Sequence, residues 1–387
     1  MHTRLFDRMC CPRCRMGLKI QPFAAETPEP FSAVSQAIGE QTLVQQGPET
    51  IVRTGVLLCD ACHVWYPVYA YVPVMLQFET AFHRQFAQEF KTELQALPGY
   101  RLPNGTPEPG EPAIQETFTD QWLMVQESEL SFNYTQADLQ ALNREVWLKW
   151  LPTATSPVQM VLDVGCGLGR EAMALQTVTQ AEIFAVDLNF GLLQGARQFR
   201  SHRGIHFVIA SLFHLPFPGT TFDLVYSQGV VHHTFSTRVA LEAIASQVRP
   251  GGYLFIWVYG RDDDQVKDPG LKGYLTYKFE ALMRPLVSHL PRPLRDLMIG
   301  LLTLICHPIL KSYGRNRPQW LPRNTNHALR DWLTPRYAHK HSYNEILEWF
   351  EALGFQIIDV QSPWAYRRLF QRPLWGVGVT GKKRLQN

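Results

Sequence analysis

An apolar run that stops on a glycine-rich turn constrains this chain more than any other feature: Val161-Leu162-Asp163-Val164-Gly165-Cys166-Gly167-Leu168-Gly169-Arg170. It predicts a strand, a tight turn and a helix from about Arg170. Glycines are needed where the backbone must turn sharply and let a ligand approach with no Cβ in the way. A glycine-rich turn alone is weak evidence. Here a second strand, AEIFAVDL over 181–188, ends on Asp187, 24 positions after Asp163. An acid at that place takes both ribose hydroxyls of a nucleoside. A nicotinamide enzyme is the natural competitor. Asp163 weighs against it, because a carboxylate two residues before the first glycine suits an amino group better than a pyrophosphate. The glycines also run G-x-G-x-G rather than G-x-G-x-x-G.

Short apolar runs alternate with helical periods from 158 to 259, the pattern of βαβ units and a parallel sheet. Along that stretch come Ala210-Ser211-Leu212-Phe213-His214-Leu215-Pro216-Phe217, then Phe222-Asp223-Leu224-Val225, Gly229-Val230-Val231-His232-His233-Thr234 and Val248-Arg249-Pro250-Gly251-Gly252. In this order they resemble the class I methyltransferases that use S-adenosylmethionine (SAM), most of all the branch with the ubiquinone and menaquinone methyltransferases. The resemblance covers about residues 116–260 and 341–381. It implies an α/β fold with a Rossmann-like seven-stranded methyltransferase sheet. It also implies roles: Asp163, Gly165 and Gly167 around the methionine end of SAM, Asp187 and Leu188 at the ribose, Ser211 and Leu212 at the adenine. Ser227, Gln228 and Gly229 would line the methyl-transfer mouth. Many members carry an acid where Ser211 stands, and serine accepts a hydrogen bond more weakly than a carboxylate. Phe118-Thr119-Asp120-Gln121-Trp122 resembles the entry helix of related enzymes, which packs over the SAM pocket.

Upstream, Cys11-Pro12-Arg13-Cys14 and Cys59-Asp60-Ala61-Cys62 form two C-x-x-C pairs. Cys11, Cys14, Cys59 and Cys62 can present four thiolates tetrahedrally to one structural Zn²⁺, leaving no open position for catalysis. Cys10 is an alternative ligand. The gap between the pairs exceeds the usual finger spacing, so residues 21–46 are expected to bulge out as a polar loop. A unit with so little core needs such a staple. With Tyr66-Pro67-Val68 and Pro73-Val74-Met75-Leu76, the pattern resembles the small zinc-ribbon proteins that bind and activate methyltransferases. That likeness covers roughly residues 1–78 and implies a protein partner at the ribbon.

SAM carries an activated methyl, so the enzyme's task is alignment in a dry pocket; a base helps only if the nucleophile must lose a proton. His233, then His232, follow the fourth strand beside the expected mouth, and Tyr259 ends the fifth. These three are the candidate catalytic residues, against the plainer alternative of histidines that pack a turn. His339 and His341 precede a capping box, Ser342-Tyr343-Asn344-Glu345, and are placed to close the site. Trp364 and Tyr366 follow the sixth strand.

Residues 261–340 interrupt the αβ rhythm. They hold 14 Lys and Arg against 7 Asp and Glu, whereas the rest of the chain holds 23 against 27. A locally basic segment suggests an anionic partner. A helical period runs over 273–290, Pro291-Arg292-Pro293 breaks it, and 297–310 is then nearly all apolar between basic flanks. An apolar helix with basic flanks lies in a membrane interface, caps a pocket, or is an ordinary buried helix. The stretch contains His307 and Pro308 and is shorter than the roughly 20 residues of a spanning helix.

The expected organisation is a zinc ribbon (1–78), a linker and helical entry segment (79–155), a SAM-binding core (156–260), a basic apolar helical insert (261–340) and a helix-strand completion (341–387). The expected activity is methyl transfer from SAM to oxygen or carbon of a small hydrophobic or lipid-like acceptor, with peripheral membrane contact through the insert. RNA is the alternative partner, since some rRNA base methyltransferases also join a four-cysteine zinc site to a SAM domain. Against it, Ser227-Gln228-Gly229-Val230 stands where amino-group methyltransferases carry an N-P-P-Y type motif. A non-catalytic scaffold is the third alternative. The first nine residues contain Arg4, Asp7 and Arg8 and no apolar core of a signal peptide. The expected location is cytoplasmic, peripheral at the inner membrane face.

Overall fold

The computed structural model describes residues 3–26, 51–124, 134–151, 158–199, 202, 204–261, 270–313, 321–361, 363–370 and 376–385. They fall into two compact units, 1–106 with 206–218, and 107–205 with 219–387.

In the first unit, a short helix α1 (Thr3–Phe6) leads to an antiparallel sheet of β1 (Lys19–Glu26), β2 (Ile51–Cys59), β3 (Val64–Tyr69) and β4 (Val72–Pro73), paired in that order. Residues 21–26, expected in a loop, are therefore strand, bonded to β2 from Gln21↔Val56 to Glu26↔Ile51. β1 is an edge strand with most of its length exposed, so its polar residues hid the strand pattern. Residues 27–46 of the expected loop lie outside the described residues. Ala70 and Tyr71 turn β3 into β4 with φ of 49° and 73°, the left-handed pair that suits a tight hairpin.

Helices α2 (Ala81–Glu89) and α3 (Lys91–Gln95) belong to the same unit. Phe86 packs with Val56, Leu58 and Trp65, ringed by Phe23, Phe82, Phe90 and Tyr100. The Pro- and Gly-rich chain beyond is held too: Trp65 N donates to Arg101 O at 3.0 Å and Arg101 N to His63 O at 3.0 Å. Residues 79–106 thus share the core of the ribbon.

The second unit opens with α4 (Glu111–Leu123), which carries the Phe118–Trp122 segment; Gly110, at φ 76°, turns into it and a proline fills its first turn. Residues 125–133 lie outside the described residues. Thr135 Oγ1 accepts from Asp138 N and starts α5 (Gln136–Leu142), which runs into one π-helical turn, Asn143–Trp147. The alternation then follows: β5 (Met160–Val164), α6 (Arg170–Thr179), β6 (Glu182–Asp187), α7 (Leu192–Gln198), β7 (Ile205–Ile209, of which 206–209 are counted with the first unit), β8 (Phe222–Gln228), α8 (Thr237–Ala245) and β9 (Val248–Val258). Three insert helices follow, α9 (Gly270–Val287), α10 (Arg292–Tyr313) and α11 (Pro322–Leu333). The chain ends on α12 (Tyr343–Ala352), β10 (Phe355–Val360), α13 (Pro363–Phe370) and β11 (Val377–Lys383).

The seven strands are ordered β10-β11-β9-β8-β5-β6-β7. β6, β5, β8 and β9 pair in parallel, and β11 runs antiparallel between β9 and β10. This is the expected Rossmann-like methyltransferase sheet. Parallel strands are covered on both faces, which is why Val161, Leu162, Ile183, Phe184, Leu224 and Val225 are all fully buried. The strand order reverses between β5 and β8, and open α/β sheets bind ligands outside the carboxyl ends at such a point.

Among the insert helices, Val287, Ile299, Leu302, Leu329 and Leu333 make a separate small core. α10 continues through Pro308 and outruns the apolar stretch expected at 297–310: Arg292–Lys311 is long and apolar enough, by length and composition, to cross a membrane. A proline removes one backbone donor and crowds the carbonyl four residues back, and tertiary packing of the opposite face holds the helix through it.

Candidate active site and thiolate centre

The turn after β5 is built by glycines with φ of 82° at Gly165, 57° at Gly167 and 84° at Gly169. A Cβ on Gly165 would come within 2.1 Å of Val230, and one on Gly167 within 2.7 Å of the Trp122 ring. Both the backbone conformation and the close packing therefore require glycine. Asp187 braces the turn: its Oδ2 accepts from Gly167 N at 2.7 Å and its Oδ1 from Asn189 N at 2.9 Å. Leu188, beside it, is half-buried.

Asp163 is buried at the end of β5, and its Oδ2 has no hydrogen-bond partner among the described residues. Burial first, then the charges of Glu171 and Asp187, push its pKa well up. Glu171 accepts from Asn143 Nδ2 and Tyr226 Oη, each at 2.8 Å, and burial raises its pKa as well. Gln228 Oε1 lies 2.6 Å from the same Tyr226 Oη, so the one phenol hydrogen serves two acceptors, and Ser227 Oγ donates to Val164 O at 3.1 Å across the strand reversal. Three carboxylates thus converge on one glycine turn, one of them with an orphaned oxygen. SAM fits such a cradle: its ammonium and sulfonium are cations, and its ribose hydroxyls are donors for Asp187. Ser211 and Leu212 lie in the first unit, where Ser211 Oγ accepts from Phe213 N and caps the short turn Leu212–His214.

The three candidate catalytic residues do come together. His232 and His233 have ring centroids 4.3 Å apart, and Tyr259 lies 4.0 Å from His232 and 5.5 Å from His233. Phe118 stands edge-on to His233 at 5.2 Å. His233 Nδ1 is 2.9 Å from Tyr337 O. A carbonyl only accepts, so Nδ1 carries the hydrogen and Nε2 is left with its lone pair. Nε2 is buried with no partner among the described residues. Burial lowers the pKa of His233 and lowers that of His232 far more. Neither ring nitrogen of His232 has a partner among the described residues.

Tyr259 Oη donates to Asp331 Oδ2 at 2.7 Å, and Gln121 Nε2 donates to Asp331 Oδ1 at 3.4 Å. Gln121 Oε1 is buried without a partner among the described residues. Burial, then Asp331, hold the Tyr259 phenol well above its ordinary pKa. Asp331 and Gln121 were not named from sequence. Gln121 lay inside the Phe118–Trp122 segment that resembled an entry helix, but Asp331 is one acid in a basic insert and carries no local signal.

His339 and His341 are spent on architecture. His339 Nε2 is 3.0 Å from Thr234 O, and its backbone N donates to His232 O. His341 Nε2 is 2.8 Å from Thr237 Oγ1, and its backbone N donates to Tyr259 O. They fix the turn and strand end that carry the candidates. Tyr366 Oη bonds Tyr134 Oη instead of entering this cluster; the Trp364 side chain lies outside the described residues.

In the first unit, the Sγ atoms of Cys11, Cys14, Cys59 and Cys62 all lie within 4.8 Å of one another, with Cys11–Cys62 at 4.0 Å and Cys14–Cys59 at 3.4 Å. Zn–S bonds of about 2.3 Å in a tetrahedron place sulfurs about 3.8 Å apart, so the set fits Zn²⁺. The residue after each knuckle is left-handed, Arg15 at φ 64° and His63 at φ 52°, so both pairs follow one backbone path. Cys10 stands outside the cluster; its backbone N donates to Pro216 O. Burial pushes the Cys62 thiol up to about 11. A metal's charge is what lets such a set ionise together.

A glycine-turned, acid-lined cradle at the reversal point of a seven-stranded sheet with one antiparallel strand defines the Rossmann-like class of SAM-dependent methyltransferases. Residues 162–256, about a quarter of the chain, match the family described as Methyltransferase domain. The chain carries a SAM-dependent methyltransferase domain there. The O-methyltransferase cnsE of Penicillium expansum is 30% identical over 151 residues, which is 38% of this chain and 52% of that protein. A tRNA U34 carboxymethyltransferase of Idiomarina loihiensis is 26% identical over 190 residues, 47% of this chain and 57% of its own. The chain spans from about a quarter to just over half the length of these and two other curated relatives that it matches. Among solved structures, magnesium protoporphyrin IX methyltransferase of Synechocystis is 15% identical with a TM-score of 0.41, covering 71% of this chain and all of that one.

Proposed function

We propose that the whole protein transfers the methyl group of SAM to an oxygen or carbon of a small, hydrophobic or lipid-like acceptor, with the insert in peripheral contact with a membrane. One observation carries this: the buried, unpartnered Nε2 of His233, set among Phe118, His232 and Tyr259. Three aromatic rings stand around it, which suits an apolar acceptor with one ionisable group.

SAM supplies an electrophilic methyl on a sulfonium. Asp163 would hold its ammonium through the orphaned Oδ2, and Asp187 its ribose hydroxyls. Gly165 and Gly167 keep side chains out of the cofactor's way. His233 Nε2 would take the proton that the acceptor's hydroxyl or acidic carbon must give up to become a nucleophile. The low pKa of His233 keeps it a free base at neutral pH. Asp331 fixes the Tyr259 hydroxyl, so that the ring forms a stationary wall against which the acceptor is aligned.

RNA is the second acceptor class. It draws on the net basic insert and on relatives whose names refer to tRNA. The test is incubation of the purified protein with methyl-labelled SAM and detergent-dispersed whole-cell extract, followed by separation of organic-soluble from nucleic-acid fractions. Asp163→Ala is the control. Label in the organic fraction, lost in the variant, is expected; label in RNA would overturn the preferred acceptor.

A further inference from the structure

The outer face of α10 is the most apolar exposed surface among the described residues. Leu294, Leu297, Leu301, Leu304, Ile305 and Ile309 are each at least half exposed, Leu304 at 73%. Their spacing of three and four places them along one side of the helix. Leu282 and Leu286 of α9 are exposed as well, at 68% and 60%. No charged residue occurs from 297 to 310. Contiguous exposed patches of this kind mark interaction sites.

We infer that this face is a membrane-docking surface that lies in the plane of an anionic lipid interface; the inference rests on the lipid-like acceptor proposed above. Two observations select a lipid surface. First, both ends of the apolar face carry a basic residue: Arg292, in the first turn of α10, pairs with Asp120 at 2.7 Å while more than half of its side chain stays exposed, and Lys311 in the last turn is exposed. A second copy of the chain laid against the face would bring cation against cation in either orientation. Anionic headgroups instead match both ends while acyl chains cover the leucines. Second, the opposite face of α10 is committed to the protein. Ile299 and Leu302 pack with Leu329 and Leu333. Arg295 pairs with Asp120 at 3.6 Å, and Arg330 with Asp296 at 2.8 Å. A helix with one face so engaged cannot be surrounded by lipid, although its length would allow a span. It enters the interface sideways, to the depth of its outer side chains.

The experiment is flotation of the purified full chain with phosphatidylcholine vesicles, with and without about 30 mol% phosphatidylglycerol. Wild type is expected to float with the anionic vesicles and far less with neutral ones. Leu301→Asp with Leu304→Asp is expected to cut the bound fraction at least tenfold while SAM affinity, read by calorimetry, stays within twofold. Val239→Asp, at an exposed aliphatic position on α8, is the control and should float as wild type. The inference is overturned if wild type floats with neither vesicle, or if the double variant floats unchanged. It is also overturned if light scattering finds a non-floating dimer that the double variant splits, because a second copy then covers the face. Labelling in detergent-dispersed extract does not depend on vesicles. Organic-soluble product without flotation therefore removes the docking face and leaves the acceptor class standing, and flotation without such product does the reverse.

Discussion

Replacing Asp163 by Asn is expected to move the stability of the free protein and its affinity for SAM in opposite directions. The two side chains have nearly the same shape, so packing at the end of β5 is kept. In the free protein the carboxylate is buried, one oxygen has no partner among the described residues, and Glu171 and Asp187 are close enough to raise its pKa. A neutral amide avoids the cost of burying or protonating that carboxylate, and so should stabilise the fold by on the order of 1 kcal/mol, a few degrees in Tm for a unit of this size. Bound SAM loses a charge-assisted contact to its ammonium, worth about 1.5–3 kcal/mol, or roughly a 10- to 150-fold weaker Kd. Thermal melts without SAM and calorimetric titration with it read the two effects separately. The pH dependence gives a second check. A cation prefers ionised Asp163, whose pKa in the free protein is raised, so wild-type affinity falls as pH drops through that pKa and a proton must be displaced on binding. The Asn variant should lose that slope. An Asn variant that binds SAM within twofold of wild type, or that melts lower, would refute the assignment of Asp163 to the cofactor's ammonium.

His233→Ala should lower kcat by roughly a hundredfold to ten-thousandfold with SAM affinity kept; because burial lowers the His233 pKa, the acid limb of the rate profile should sit below the ordinary histidine range. Unchanged kcat would return His233 to a packing role. Chelation of the metal should unfold the ribbon, since structural zinc contributes on the order of 10 kcal/mol or more in small sites; fluorescence of Trp65, buried beside β2, reports it, and an unchanged spectrum at full metal loss would count against a structural ion. His83 is buried with its pKa pulled down to about 4 from 6.5, so the unfolded chain binds the extra proton between those values. First-unit stability should therefore fall by about 3 kcal/mol as pH drops from 6.5 to 4. His83→Gln should flatten that fall, and a persisting slope would point to another group.

Much of this was legible because local and global preferences agree. The run from Val161 to Arg170 needs a strand, three left-handed glycines and a helix, and each is present. The four cysteines were readable from spacing, because knuckle geometry is local. Edge strand β1 was not, since a half-exposed edge shows no apolar period. α10 ran past its proline for a reason held in α11, far along the chain. Asp331 was invisible for the same reason: its meaning lies in the hydroxyl of Tyr259, 72 residues away. Sequence periodicity reports what a residue does to its neighbours in the chain, and Asp331 acts only across it.

That bond also sets a rule for anyone who cuts or grafts this protein. Excising 261–340 would remove Asp331 and strand a buried phenol, and so would damage the acceptor side even if the sheet survived. A chimera that exchanges inserts to change acceptor preference must carry Asp331, and must meet a glutamine at position 121 on the recipient scaffold. The insert is inherited together with its socket.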